Sequence, residues 1–360
     1  MKVRIVKRIA VLVSFLLIIG AGLSVAAYRA AGCFDLFGDS AVAAQLMAFS
    51  NGSVYDALSE EEPEDDPAPS ASKPAAKPLA VKEPSTAVPT EKPDKVTHSG
   101  DTYPVVEISS SDGNMQYDNI EFHNTTSYDP DIGSLLDADL PFTLKDNSTV
   151  QVLIYHTHTC ERYLEEDCGY YYDDYYPRST DGEKGVIAVG DRIAASLKAH
   201  GIGVVHDKTL HDYPSYDGSY GRSWDTITEY KKKYPGIVVT LDIHRDAMTA
   251  DDGTKYKPTF TYNGKKAAQI MIMSGHGDSD DFPTWDENLI FATKLQKECE
   301  DSFPGMTRAL YFGDFSYNMD FNNGSLLIEV GTDANTVDEA AYSGELLGRA
   351  LSSVLTASAK

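Results

Sequence analysis

The sequence predicts an α/β fold: a single three-layer domain with a mostly parallel central sheet of about six strands flanked by helices. Three observations carry this. Short apolar runs rich in β-branched residues alternate with segments whose apolar residues recur at helical spacing. Helix-start and helix-stop residues stand between them. The first hundred residues differ in composition from everything after them.

That compositional break divides the 360 residues into an anchor over 1–30, a membrane-proximal segment and tether over 31–104, and a catalytic domain over 105–360. Lys2, Arg4, Lys7 and Arg8 precede the apolar run Ile9 to Ala27. At about 19 residues the run is close to the ~20 that span hydrocarbon. Its basic flank belongs in the cytoplasm, which places the remainder outside the cell, single-pass. Val25-Ala26-Ala27 also resembles a signal-peptide cleavage site, but the apolar run is long for one and favours an uncleaved anchor. From Ser59 to Lys95, Pro, Ala, Glu, Lys, Ser and Thr dominate. Such a stretch cannot bury enough surface to offset its ordering entropy and reads as a disordered tether.

The elements of the folded part follow in order. Val152 to Tyr155 is a short buried strand. Val186, Ile187, Val189, Ile193 and Leu197 mark a helix that stops at Gly201. Ile202 to His206 is the next strand, and Trp224, Ile227 and Tyr230 trace a helix face. Ile237 to Leu241 and Ala268 to Met273 are strands. Thr284 and Glu287 form a capping-box pattern ahead of Leu289, Ala292 and Leu295. Ala309 to Phe312 and Leu326 to Val330 are strands, and Thr336 with Glu339 opens a last helix to about Val354.

Composition excludes some functions. The net charge of -24 leaves no basic surplus to neutralise phosphates, so nucleic acid is not a partner. Cys33, Cys160, Cys168 and Cys299 contain no CxxC pair and are too few for a disulfide scaffold; Cys160 and Cys168 could pair across a loop. The tyrosines at Tyr170 to Tyr176 either stack on sugars or form an ordered surface loop.

In open α/β sheets, ligands bind beyond the carboxyl ends of strands. The first strand delivers His156-Thr157-His158, the third Asp242-Ile243-His244-Arg245-Asp246, and the last Glu329. Histidine and carboxylate converging from three strand ends suit zinc better than the all-oxygen shells of magnesium or calcium. Three protein ligands leave a position for water, which zinc activates for hydrolysis. A further carboxylate would serve as general base. No Gly-x-Ser-x-Gly elbow marks a serine nucleophile. A Cys160 nucleophile beside His158 would leave Glu329 idle.

At these residues the chain resembles the stage II sporulation protein P family over about Glu107 to Val354. The likeness is carried by Leu153-Ile154-Tyr155-His156-Thr157-His158-Thr159, Arg178-Ser179-Thr180-Asp181 and His206-Asp207-Lys208-Thr209. It continues through Pro214-Ser215-Tyr216-Asp217-Gly218-Ser219-Tyr220, Leu241-Asp242-Ile243-His244-Arg245-Asp246-Ala247 and Ser325-Leu326-Leu327-Ile328-Glu329-Val330-Gly331. The resemblance implies a zinc-dependent N-acetylmuramoyl-L-alanine amidase that cuts peptidoglycan, with an endopeptidase activity on peptide cross-links. It implies a role in engulfment during sporulation, in the cell membrane, with stage II sporulation proteins D and M as partners.

The domain is also similar to the wider zinc amidase superfamily, whose Asp-Pro-Gly-His falls on Tyr155-His156-Thr157-His158. That implies His158 and His244 as metal ligands, Asp181 as the ligand carboxylate and Glu329 as the catalytic group. His156, Glu161 and Glu183 stay open as alternative ligands, since the superfamily uses Glu where Asp181 stands. Arg245 would hold the oxyanion or a substrate carboxylate, or pair with Asp242 or Asp246. Phe282 stands where the family pattern has a histidine. The rival reading is a catalytically inactive, membrane-tethered module that binds wall polymer or recruits partners. A zinc carboxypeptidase or deacetylase acting on the wall would keep the metal and change the bond.

Overall fold

Val150–Tyr155 reads VQVLIY, a β-branched run that is buried on both sides, and it forms one of the strands at the heart of the protein. The computed structural model describes residues 100–110, 112–145, 149–277 and 282–357. The expected anchor and nearly all of the tether lie outside the described residues. Among the described residues no helix is long and apolar enough to cross a membrane.

Among the described residues twelve strands and five α-helices follow one another. The order begins β1 (Thr102–Ile108), β2 (Met115–Tyr117), β3 (Ile120–Asn124), α1 (Ile132–Asp137), β4 (Val150–Tyr155), β5 (Tyr170–Tyr172) and α2 (Val186–Ala199). It continues β6 (Gly203–His206), α3 (Ser219–Lys233), β7 (Val239–Asp246), β8 (Lys255–Tyr262), β9 (Lys265–Ala268) and β10 (Ile270–Gly275). It closes with α4 (Trp285–Ser302), β11 (Leu310–Gly313), β12 (Ser325–Thr332) and α5 (Val337–Ala357).

The main sheet has eight strands, in the order β2-β3-β11-β10-β12-β7-β4-β6, where the sequence led us to expect about six. Pairings are parallel except at β10–β12 and β2–β3. β2 and β3 were not anticipated, because their runs are short and lie before the first strong apolar segment. A second sheet, β5-β1-β8-β9, was not anticipated either. Its β8–β9 hairpin turns on Asn263 and Gly264, at φ 51 and 74, the Asn-Gly pair that a two-residue hairpin loop favours.

Side chains alternate across each strand, so the sheet has two distinct faces. One face carries Val152, Ile154, Leu241, Ile243, Ile272 and Ile328 into a core shared with residues of α2, α4 and α5. The other face is covered by α3 only near β4, where Leu153, Tyr155 and Ile227 meet. Farther out, a small cluster of Met271, Met273, Phe282, Met319 and Leu327 lies beneath Tyr311, Phe315 and Tyr317. The second layer of helix is therefore partial.

Candidate active site

β7 continues to Asp246, so His244 stands within the strand and on the same face as Asp242. β12 runs parallel beside it, and the register sets Glu329 directly against His244. Gly331, at φ +65, then breaks the ladder in an irregularity between Glu329 and Thr332. A turn after β4 brings His158 to the same place, its ring 5.1 Å from that of His244 and nearly perpendicular to it.

His244 lies between acids. Its Nε2 is 2.9 Å from Asp242 Oδ1 and its Nδ1 is 3.7 Å from Glu161 Oε2. The first contact has ion-pair distance without hydrogen-bond alignment, so Nε2 stays buried and without a hydrogen-bond partner. Asp242 is instead bonded to Thr157, accepting from its backbone N–H (2.8 Å) and its hydroxyl (2.6 Å). Burial pulls the His244 pKa down, but Asp242, then Glu161 and Glu329, outweigh it and raise it to about 10. Asp242 is pushed up by burial, yet His244 and Thr157 hold it below the usual aspartate value.

Glu329 Oε2 is also buried and has no hydrogen-bond partner. Burial lifts its pKa to about 8, against the opposing charge of His244. Burial likewise raises Glu161, opposed by His244 and Arg245. His158 is held neutral, with its pKa lowered to about 3 by burial and then by His244. Its Nε2 is 2.9 Å from the Tyr216 hydroxyl, and the Tyr216 ring stacks on it at 4.4 Å. The loop carrying Tyr216 is held by Arg222, which donates to the Asp217 carbonyl (2.9 Å) and the Ser215 carbonyl (2.6 Å).

The two histidines after β4 make different contacts. His156 Nδ1 donates to the Ile243 carbonyl (2.8 Å), and its Nε2 is 2.8 Å from His206 Nε2. His156 thus braces the sheet, while His158 faces His244. The carboxylate beside His244 is Glu161, whereas the superfamily alignment points to Asp181. Asp181 is exposed and caps a short 3-10 turn by accepting from the Glu183 N–H (3.1 Å). Glu183, in that same turn, is exposed too.

Arg245 is buried, and its guanidinium donates to the carbonyls of Arg162 (2.9 Å), Asp246 (3.1 Å) and Pro177 (2.8 Å). It pairs with neither the Asp242 nor the Asp246 carboxylate, and three of its five N–H groups are given to these backbone carbonyls. Its backbone N–H, however, donates to Glu161 Oε2 (3.0 Å) and so fixes the carboxylate next to His244.

Sequence reasoning gave Asp242 and Tyr216 no role of their own at this site. The period-2 alternation that puts Asp242 on the face of His244 was a usable sign. Nothing in the residue order pointed to the stacking of Tyr216. The tyrosines at Tyr170 to Tyr176 are divided: Tyr171 is buried and Tyr175 donates to the Tyr163 carbonyl (2.6 Å), while Tyr176 is exposed. Cys160 and Cys168 are both free thiols. Burial, then Asp212, pushes Cys160 up to about 12, the opposite of an activated nucleophile.

Among the described residues no three His, Cys, Asp or Glu side chains are already gathered for coordination. The donor types nevertheless fit zinc: neutral His158 and the fixed Glu161 carboxylate each lie beside His244, and the neighbouring Glu329 Oε2 is buried with no hydrogen-bond partner.

The profile of the family described as stage II sporulation protein P matches residues 44–352. No curated protein matches the chain. Among solved structures, the N-acetylmuramoyl-L-alanine amidase AmiC2 of Nostoc punctiforme is 14% identical, with 58% of this chain and 96% of that one covered at a TM-score of 0.34. The CwlD amidase from Clostridioides difficile, solved with the GerS lipoprotein, is 12% identical, with 57% and 99% covered and a TM-score of 0.36. The catalytic domain of CwlV, an amidase from Bacillus (Paenibacillus) polymyxa var. colistinus, is 12% identical, with 58% and 97% covered and a TM-score of 0.33. At such scores the functional reading rests on the residues.

Proposed function

The chain belongs to the stage II sporulation protein P family, and from that premise we propose that it is a zinc-dependent peptidoglycan hydrolase of sporulation. The bond cut is the amide between N-acetylmuramic acid and L-alanine, with peptide cross-links as a second target. The observation that carries the reading is the Glu329–His244 register pair, in which Glu329 Oε2 is buried with no hydrogen-bond partner. Buried polar atoms are almost always satisfied, and unsatisfied ones call for a ligand or a chemical task.

His158, His244 and Glu161 would hold the zinc. Bound there, the metal supplies Lewis acidity to the scissile carbonyl and to the attacking water. Asp242, itself fixed by Thr157, orients His244 from behind. Arg245 keeps the Glu161 carboxylate in place through its backbone N–H. Glu329 takes the proton from water and returns it to the leaving amine.

The same reading includes a membrane anchor over 1–30 and a tether over 31–104, with the catalytic domain outside the membrane and stage II sporulation proteins D and M as partners in engulfment. It is supported by the family match and by the basic, apolar and Pro-rich runs of the sequence.

The test is digestion of purified peptidoglycan by the full chain in detergent, with products identified by mass spectrometry. Free stem peptides and intact glycan, lost on chelation and restored by zinc, are expected. Shortened cross-links would add the endopeptidase. No soluble product under any condition would transfer the protein to the inactive wall-binding class.

A further inference from the structure

From His158 a row of rings runs out to the edge of the main sheet. The His158 ring meets the edge of Tyr220 at 5.5 Å. Tyr220 stacks with Tyr317 at 5.4 Å and Tyr317 with Phe315 at 5.0 Å. Phe315 stacks with Tyr311 at 5.5 Å, and Tyr311 with His123 at 5.3 Å. The planes of these four stacked pairs lie within 23° of each other. Stacks with centroids this far apart are offset, so part of each ring face projects beyond its neighbour. All five rings are half-buried. His123 and Tyr311 lie on the same sheet face as Glu329, toward β3 and β11, and Tyr220 at the other end of the row belongs to α3.

A second observation sets the row apart from ordinary cover over a core. Tyr317 and Asn318 have φ 43 and 61, consecutive left-handed residues that are not glycine. A bulky side chain rarely adopts that conformation, and such residues cluster at ligand sites. Asn318 Nδ2 ties this turn to α3, donating to the Tyr220 carbonyl (3.1 Å) and to Ser223 Oγ (3.0 Å). A relaxed loop with an aliphatic residue would cover Met273 and Met319 as well. The strained backbone instead stacks Tyr317 on Tyr220 and completes the row.

The chemistry of the row selects its occupant. In a chain of net charge -24, it contains four phenyl or phenol rings and one imidazole, with no carboxylate, ammonium or guanidinium. It offers no cation to the carboxylates of a peptide. Flat rings at this spacing suit the C–H faces of successive pyranoses, while hydroxyl and acetamido groups remain in water. We propose that this row is a binding track for the glycan strand, a β-linked N-acetylhexosamine chain. The strand would lie from His123 to Tyr220, and its peptide-bearing amide would then reach Glu329. The inference rests on the wall-polymer reading of the site.

The experiment measures binding of tetra-N-acetylchitotetraose to the full chain by calorimetry in the presence of a chelator, so that no turnover contributes. Tyr317→Gly removes a ring and places at the left-handed position the residue that tolerates it. Tyr311→Leu removes a ring and keeps apolar cover. Both variants are expected to fold and to bind the sugar about tenfold more weakly. A free alanine-containing stem peptide, titrated in parallel, should bind wild type and variants alike or not at all. Equal sugar affinity in wild type and both variants, absence of sugar binding, or a loss confined to the stem peptide would overturn the inference. Wall digestion measured alongside separates the two readings. A protein that digests wall without binding the sugar loses the track and keeps the hydrolase. One that binds the sugar through these rings and releases no stem peptide keeps the track and loses the hydrolase.

Discussion

At the scale of single residues, two carboxylates compete for one role, and the structure separates them. Glu161 is held by the Arg245 N–H beside His244, whereas Asp181 caps an exposed turn. Glu161→Gln and His244→Ala should each lose bound zinc, and Asp181→Asn should keep it, as measured by metal content after dialysis. Equal loss in Asp181→Asn would return the ligand role to the turn. Glu329→Gln should keep the metal and lower turnover by about 10²–10⁴-fold, the usual weight of a general acid–base group. Retained turnover in that variant would remove Glu329 from the chemistry. The histidines and Glu329 were legible in the sequence because a strand end fixes where its next residues go. The place of Glu161 beside His244 was not, because it lies in a loop whose path depends on distant pairings, Glu161 with Arg178 and Arg162 with Gly185.

At the scale of elements, two helix starts with the same sequence pattern behave differently. Thr336 and Glu339 form the reciprocal box, with Thr336 N–H donating to Glu339 Oε2 (2.9 Å) and Glu339 N–H to Thr336 Oγ1 (3.2 Å). Thr284 makes no side-chain cap bond, and its hydroxyl is buried without a partner. Thr336→Ala should therefore cost about 1 kcal/mol in urea unfolding, and Thr284→Ala close to nothing. Similar losses in both would mean that the two caps are equivalent in solution. Gly331→Ala is a harsher change. Its φ is +65, and a Cβ there would lie 2.5 Å from Asn335 Oδ1 and 2.8 Å from Ala268 Cβ. A loss of about 2 kcal/mol or more is expected. Long apolar elements were legible because period and burial agree; β8 and β9 were overlooked even though Asn263-Gly264 between them is a strong hairpin sign. β1 was hidden for a different reason: its residues are mostly exposed, so no apolar pattern marks it, and β5 is only three tyrosines long.

At the scale of the whole molecule, the two sheets are joined by charge as well as by chain. Lys257, in β8 and 1% exposed, lies 2.8 Å from Asp167, 3.2 Å from Glu339 at the start of α5 and 3.4 Å from Glu107 in β1. A buried ammonium with three carboxylates around it ties the small sheet to the helix layer, and removing one partner leaves the others poorly matched. Glu107 is held below the usual glutamate value by its hydrogen bond to Lys266 and by Lys257, and Asp167 is lowered by its hydrogen bond to Lys257. A carboxylate whose folded pKa is depressed stabilises the fold above its unfolded pKa and loses that contribution as pH falls through the folded value. Unfolding midpoints in urea should therefore hold from pH 7 down to about 4.5 and fall below it. Lys257→Met removes the cation that depresses Asp167 and fills much of the same volume. It should lower stability at pH 7 and flatten the decline between about pH 4.5 and 3. Both carboxylates are partly exposed, so the flattening should be modest and reduced further by salt. A variant whose midpoint falls as steeply as wild type would show that the acid sensitivity arises elsewhere, with the buried Asp242, also held below the usual aspartate value, the next group to examine.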